Sequence, residues 1–483
     1  MDWINTIIKI LNDPFTPAGE ALAKWLSGFM PEVGVPVTMM VIRAAFIGIF
    51  ALVMFMVMTW IERKGVARIQ NRIGPNLAGP WGLLQPLADG VKALTKEDIT
   101  PDNADRIVYN IAPILSAAAA MLVFAAIPFG PGLIGTDMNI GVFYILAISG
   151  MGVLAILLAG WSSNNKYALL GGFRVVAQLV SYEVPHVLSI VATVMLAGSM
   201  SLTGIVNAQP VWYIIVLPVS AVIVMLSGMA EVGRSPFDLL DAESEIIAGH
   251  HIEYSGMKFA LFFLAEYVHA FAVSCLVTAL FLGGWLAPSP WVSVIGVAIM
   301  LVLMLIGSAL NQSPPGAEAG SRGGVIFVTA ILGMLLIAFS VLAQYGLTVP
   351  YLWFFIKSIM VFNIMVWARG TLPRLRVDQL MSFNWKFLVP LSLANLIVVS
   401  LADRLAKDGL GLRAGTWPWA LWMLAFNVAL LLVAFALVGS AGRHARVAEE
   451  APAAEADARD EHGEQPHHEE HAAHGEPAAA AAH

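Results

Sequence analysis

The sequence predicts an all-α fold, a polytopic membrane helix bundle. Two observations carry that prediction. Hydrophobic residues make up 58% of the 483-residue chain and charged residues only 12%, about half the charged share of a soluble domain. The apolar residues also fall in runs that suit the ~20-residue length of a membrane-spanning helix, and mean hydropathy is +0.77.

The elements follow in order. Residues 1–37 mix apolar and polar positions and read as an N-terminal interfacial segment with a short interfacial helix. Residues 38–285 form a core membrane domain with spans near 38–60, 109–128, 140–160, 174–199, 211–230 and 259–284. Residues 286–349 hold two more, near 291–310 and 325–345, and residues 350–440 hold spans near 351–368, 386–402 and 418–438. That makes eleven transmembrane helices. Two long polar loops interrupt the core domain, 61–108 and 231–258. In the first, Leu84, Leu87, Val91 and Leu94 recur at three and four while Asp89 and Lys92 take other faces, the pattern of an amphipathic helix lying in the interface. The tail, 441–483, is Ala, Glu, His and Pro with almost no large apolar residue, and is predicted to be disordered. The N-terminus lacks the pattern of a removable signal peptide.

Basic residues set the expected orientation. Residues 61–108 hold Arg63, Lys64, Arg68, Arg72, Lys92, Lys96 and Arg106, whereas 128–139 holds none. Later connections alternate: Lys166, then none at 200–210, Arg234 and Lys258, none at 285–290, Arg322, none at 346–350, then Arg369, Arg374 and Arg376. This predicts an N-terminus outside, with both polar loops and the C-terminal tail cytoplasmic. Residues 403–417 dissent: Arg404, Lys407 and Arg413 fall on the outer side, partly offset by Asp403 and Asp408.

The formal charge of −7 comes from the tail, where ten acids face three Arg; the other 440 residues balance. Nothing suggests nucleic-acid binding. The single cysteine, Cys275, cannot supply the four ligands of an iron–sulfur cluster. Neither a dinucleotide fingerprint nor a P-loop is present. Electrons, if this chain serves their transfer, arrive from another subunit.

The stretch from Glu231 to Lys258 gathers six carboxylates between two spans. Asp238, Asp241 and Glu245 share a face if helical, and Arg234 is the base in reach of most of these acids. Within spans stand Glu183, in SYEVPH, and Glu266, in LAEYVH, with His269 at i+3. Arg43 and Glu62 lie near the two ends of the first span. A carboxylate at a helix centre costs roughly 2.5–3.5 kcal/mol to insert. Each therefore serves either proton transfer or a structural inter-helix pair. The adjacent His250 and His251 diverge by about 100° on a helix, poor spacing for a metal. The tail His462, His467, His468, His471 and His474 read as solubilising, and no metal site is predicted.

Four motifs occur in order: ERKGVARIQNRIGPN with GLLQPLADGVKALTKED; GWSSNNKYALLGGFRVVAQLVSYEVP; SPFDLLDAESEIIAGHHIEYSGMKFALFFLAEY; and RGTLPRLRVDQLMSFNWK. They closely resemble the H-subunit (subunit 1) family of proton-pumping NADH–quinone oxidoreductase, respiratory complex I, over most of residues 38–402. The resemblance implies a bacterial plasma-membrane subunit that anchors a peripheral redox arm and forms the membrane side of a quinone chamber. It implies quinone as substrate, with FMN and iron–sulfur clusters only in partner subunits. The implied partners are the soluble iron–sulfur and quinone-site subunits, the small membrane subunits, the antiporter-like subunits and membrane lipid.

By motif position, Glu62, Arg63, Gln70, Arg72, Asp89, Lys92, Arg234, Asp238, Glu253 and Tyr254 fall to the quinone chamber. Glu183, Glu231, Glu243, Glu245 and Glu266 fall to a carboxylate chain leading to proton pumping. Arg369, Arg374, Arg376 and Asp378 fall to peripheral-arm docking. Gly233, Leu240, Asp241 and His250 depart from the family's usual residues; His250 stands where Tyr is usual. Residues 286–349 appear as an inserted transmembrane hairpin where the family has a short connection. Two rival readings are the related membrane subunit of a membrane-bound hydrogenase and a free-standing cation transporter, but the chain shows no internal repeat of the kind transporters carry.

Overall fold

The computed structural model describes residues 15–29, 34–238, 249–287 and 349–436. The expected spans at 291–310 and 325–345, the acids Asp241, Glu243 and Glu245, and the tail at 441–483 lie outside the described residues. Among the described residues there is no strand, only an isolated bridge between Gly130 and Leu133.

The helices are α1 (Phe15–Leu26), α2 (Gly34–Ile69), α3 (Gln85–Thr95), α4 (Arg106–Leu122), α5 (Gly141–Ser162), α6 (Lys166–Ala197), α7 (Pro218–Val232), α8 (Gly256–Phe281) and α9 (Pro350–Thr371). A further helix, α10, runs Val377–Gly409, and α11 runs Trp417–Ala436. Among the described residues, eight are long and apolar enough to cross a membrane, α4 with its 3₁₀ extension to Ala125, and α7 is a shorter apolar helix. All nine expected spans that fall on described residues are helical. The interfacial helices expected in residues 1–30 and around Leu84–Leu94 are α1 and α3.

Where boundaries differ, local chemistry explains them. Helix α2 runs on past residue 60 because no breaker occurs before Gly74 and Pro75. Helix α6 starts at Lys166 rather than 174, because the Asn165 side chain caps it by accepting from the Tyr167 N–H at 2.9 Å. Lys166 and Arg174 bracket its first turns, which pushes a hydropathy reading of the span toward later residues. Helix α7 starts at Pro218 rather than 211, because Leu217 leaves helical geometry (φ −128°, ψ 56°) and Pro218 suits a helix start. At the end of α10, Lys407 pairs with Asp403 at 2.6 Å and Arg404 with Asp408 at 3.4 Å, each at i,i+4. The dissenting basic residues are thus largely neutralised by their own helix.

Contacts sort the connections into two ends. At one end, the Asp105 N–H donates to Ser162 O at 3.1 Å, Asn165 donates to Glu253 at 2.6 Å, the Ser255 hydroxyl donates to Glu97 O at 3.1 Å, and the Leu375 N–H donates to Pro236 O at 3.0 Å. At the other end, Ser201 and Thr203 donate to Asp137, and Gln209 donates to Ala279 O and Leu280 O. Both long polar loops therefore share the first end.

Helix α8 is the axis of the bundle. It packs against α2, α4, α7 and α9, and Ala270 to Phe281 are buried without interruption. An aromatic cluster of Phe50, Phe124, Phe129, Phe271 and Phe355 packs beside it. Polar groups stitch the other helices. Gln178 of α6 donates to Ala230 O at 2.7 Å and to Phe237 O at 2.8 Å, holding the start of the second polar loop. Asn384 donates to Ser181 O at 2.7 Å, and Asn395 to the Ser220 hydroxyl at 2.6 Å. These bonds satisfy the buried amide N–H groups of the three side chains, which would otherwise cost free energy. Met1–Val428 forms one compact unit; of the second, Ala429–His483, the described part is the last stretch of α11.

Gly171 on α6 lets the Gly249–His251 turn approach the helix. A Cβ there would stand 2.8 Å from Gly249 Cα, a backbone atom that cannot simply swing away. Gly171→Val is therefore expected to cost about 1–3 kcal/mol through overpacking. The check is the amount of folded protein recovered from membranes, and its Tm; Gly150→Val, at a position with open space around its Cβ, should leave both near the wild-type values.

Candidate functional site

The site begins where α7 ends. Gly233 caps α7 in the left-handed region (φ 74°), with its N–H on Ala230 O and the Arg234 N–H on Met229 O. Glycine adopts this conformation without strain. The turn sends Arg234 back among the helices. Its Nη1 donates to Glu62 Oε1 of α2 at 2.5 Å, its Nη2 lies 3.2 Å from Glu266 Oε1 of α8, and its guanidinium sits 4.3 Å from the Tyr267 ring centre. Arg369 of α9 donates to the same Glu62 oxygen. The Arg234 and Glu62 side chains are only 4% exposed. One buried guanidinium thus joins three elements, and a second completes the pairing.

The line continues. One turn after Glu266, His269 Nε2 lies 3.6 Å from Glu231 Oε1, and His186 Nε2 of α6 lies 4.0 Å from Glu231 Oε2. Ser149 of α5 also reaches the Glu231 carboxylate. Glu183, three residues before His186, faces the Glu231 charge. A cavity of about 240 Å³ runs beside this line. Its apolar walls come from α4, α5 and the aromatic residues Phe259, Phe262 and Phe263; its polar lining is Glu231, Glu266, His250, His251 and His269 with Ser116 and Ser149. Apolar walls with a few converging polar groups are the usual make-up of a functional cavity. Among the described residues, none form a cluster suited to a metal ion.

His250 is buried at 2% exposure, its ring edge-on to His251 and Phe262. Burial, with the His251 charge adding, pushes its pKa down to about 3, so it is neutral at physiological pH.

The other sequence-predicted residues fall into separate groups. Arg63 pairs with Asp89 of α3 at 2.6 Å, with Lys92 at 3.5 Å, which fastens the amphipathic helix to α2. Partial burial works to raise the Asp89 carboxyl, but the Arg63 hydrogen bond and charge, with Lys92 and Gln85, hold it below the usual carboxylate range. Gln70 and Arg72 pair with each other, exposed, at 2.7 Å. Tyr254 stacks on Tyr109 at 4.1 Å, and the Tyr109 hydroxyl donates to Glu253 O at 2.7 Å. Asp238 lies 3.7 Å from Arg374. Arg376 and Asp378 are exposed at the start of α10. Arg43 is exposed on α2.

Two expectations need correction. Among the described residues, Arg234 pairs with Glu62 and Glu266 of other helices, partners that the sequence reading does not give it, and Arg374 approaches Asp238. The sequence reading also misses His186, Ser149 and Ser227. His186 lies inside the quoted SYEVPH motif, one turn after Glu183, and the same i+3 reasoning that finds His269 would find it.

The fold and the site define the class: an all-α polytopic membrane subunit carrying a buried line of ionisable side chains. A family model described as NADH dehydrogenase matches residues 42–400. The chain is 46% identical over 359 residues to the NADH-quinone oxidoreductase H-subunit of Dehalococcoides mccartyi strain CBDB1, covering 74% of this chain and 85% of the relative. It is 43% identical to the H-subunit 1 of Solibacter usitatus, covering 70% and 90%, and 41% identical to the H-subunit of Anoxybacillus flavithermus, covering 71% and 88%. The chain belongs to the H-subunit family of NADH-quinone oxidoreductase and is a membrane subunit of that oxidoreductase complex, complex I.

Two outcomes are expected. Arg234→Ala leaves Glu62 and Glu266 partly uncompensated inside the bundle and should cost about 3–5 kcal/mol, read as loss of the subunit from the complex on native gels. His250 is depressed below its unfolded value, so its contribution to stability is fully present above about pH 6.5 and is lost as pH falls toward about 3. His250→Phe should therefore make the complex's Tm less sensitive to acid between about pH 6.5 and pH 5.

Proposed function

We propose that this subunit forms the membrane side of the quinone-binding chamber and couples quinone reduction to proton translocation through a carboxylate chain. The observation that carries the reading is the succession Arg369, Glu62, Arg234, Glu266, His269, Glu231, His186 and Glu183, in which charged and imidazole groups follow one another through the bundle. Quinone is the substrate, and FMN and iron–sulfur clusters sit in partner subunits. Electrons reach the quinone at the junction with the soluble arm, and the reduced quinone takes up protons. That changes the charge facing the acidic loop, where Glu243 and Glu245 belong to the same relay.

In this reading Glu62, Arg63, Gln70, Arg72, Asp89, Arg234, Asp238, Glu253 and Tyr254 shape the chamber and its mouth. Arg369, Arg374, Arg376 and Asp378 present a docking surface to the peripheral arm. The exposed position of Arg376 and Asp378 suits docking, whereas the Arg369–Glu62 contact makes Arg369 a structural member of the line. The domain plan is the one read from the sequence: an interfacial segment at 1–37, a core at 38–285, an inserted hairpin at 286–349, spans at 350–440 and a tail at 441–483. The polar loops face the cytoplasm and the N-terminus faces outward, because the basic residues crowd the end where both loops lie. Antiporter-like and small membrane subunits receive the signal, and lipid covers the exposed apolar faces of α2 and α11.

The neutral isostere Gln keeps shape and removes the titrating proton. Glu183→Gln and Glu245→Gln should each lower proton pumping or quinone reductase activity in membrane vesicles, by about tenfold or more. Wild-type pumping and quinone reduction in both variants would remove those residues from the relay.

A further inference from the structure

We infer that His186, Glu231 and His269 form a proton-holding station in which Ser227 fixes the histidine tautomer. The inference deepens the relay proposed above and rests on it. It starts from one hydroxyl. Ser227 on α7 donates its only hydrogen to Ile223 O at 2.7 Å. The same oxygen lies 2.8 Å from His186 Nδ1, so toward that ring it accepts. His186 therefore carries its proton on Nδ1, and in the neutral ring Nε2 presents a lone pair. That lone pair faces Glu231 Oε2 at 4.0 Å.

Two acceptors facing each other repel unless a proton lies between them. A small side-chain shift closes a gap of this size to a direct hydrogen bond, and a proton there serves both groups. The other carboxylate oxygen meets His269 Nε2 at 3.6 Å. Glu231 is thus bracketed by imidazoles from two different helices, one on each oxygen. His269 lines the cavity and His186 does not, which gives the station two distinct sides.

The transfer balances without electrons. His269, first protonated to the imidazolium from the cavity side, gives its Nε2 proton to Glu231 Oε1 and ends neutral, while the proton already held at Oε2 passes to His186 Nε2, so that Glu231 keeps one proton throughout. His186 becomes an imidazolium with its Nδ1 proton still on Ser227, then releases the Nε2 proton toward Glu183. The groups facing the station are Glu183 and His186 on α6, Ser227 on α7, Glu266 on α8, Ser149 on α5, and His250 and His251 from the turn across the cavity. Arg234, next along the line, is occupied by Glu62 and Glu266. The two histidines act on the proton itself, while Ser227 is a positioning residue.

The test uses the intact complex in membrane vesicles and follows protons pumped per NADH oxidised across the imidazole range, about pH 6 to pH 9. His186→Gln and His269→Gln keep a polar group but cannot titrate. Each should lower pumping about tenfold or more and lose one ionisation from the pH profile, while NADH oxidation by an artificial acceptor upstream stays at the wild-type level. Ser227→Ala should shift that profile and Ser227→Thr should restore it; this pair stays decisive if a histidine variant fails to assemble. Wild-type pumping and an unchanged profile in the assembled histidine or Ser227→Ala variants, with Glu231→Gln inactive, would overturn the station and leave the relay standing. Wild-type pumping in Glu231→Gln would overturn the relay and the station with it.

Discussion

The ion pairing of Arg234 with Glu62 and Glu266 is the constraint on which the arrangement depends. Removing three charged groups from water is expensive, and the cost is met only when geometry and pairing are good. Here the pairing draws on the end of α2, the capped end of α7 and the middle of α8, with Arg369 of α9 as the balancing charge. Two cations against two anions leave the group near neutral. The same contacts fix the position of Glu266, and through the helix that of His269. The structural pair and the head of the relay we propose are one set of atoms.

The rest of the bundle supports that set. Gln178 holds the Ala230–Phe237 segment from α6, so the turn carrying Arg234 is fastened at two carbonyls. Helix α8 carries Glu266 and His269 on a core helix whose apolar contacts extend on all sides toward its far end. A side chain on such a helix has little freedom, which suits groups that must stay within a few ångströms of one another. The cavity beside them supplies the opposite property, room for a mobile proton carrier next to a rigid row of groups.

Much of this is legible in the sequence. Helix number among the described residues follows from apolar run lengths, and α3 from the spacing of Leu84, Leu87, Val91 and Leu94. The i+3 spacing of Glu266 and His269 puts them on one face, and both line the cavity. The basic residues at 403–417 stand out against the orientation rule, and two of them, Arg404 and Lys407, form i,i+4 pairs within α10. What the sequence hides is long-range partnership. Glu62 and Arg234 are 172 positions apart, and no local pattern announces that a loop arginine will pair with acids of two other helices. Hydropathy also misjudges α6, whose first turns carry Lys166 and Arg174 among apolar residues, and α7, where Leu217 and Pro218 break an apparently continuous apolar run. The Ser227 contact to His186 joins two helices and shows only in three dimensions.

The central claim is that the row of ionisable groups anchored by Arg234 ties quinone reduction to proton movement. Its most direct test is the proton-to-electron ratio of complex I carrying Arg234→Lys, reconstituted in sealed proteoliposomes and checked for full assembly. Lysine keeps the charge but is a single point donor, and cannot bridge two carboxylates as the guanidinium fork does. The account predicts that electrons still pass from NADH to quinone while protons moved per electron fall. An assembled variant with the wild-type ratio would contradict it.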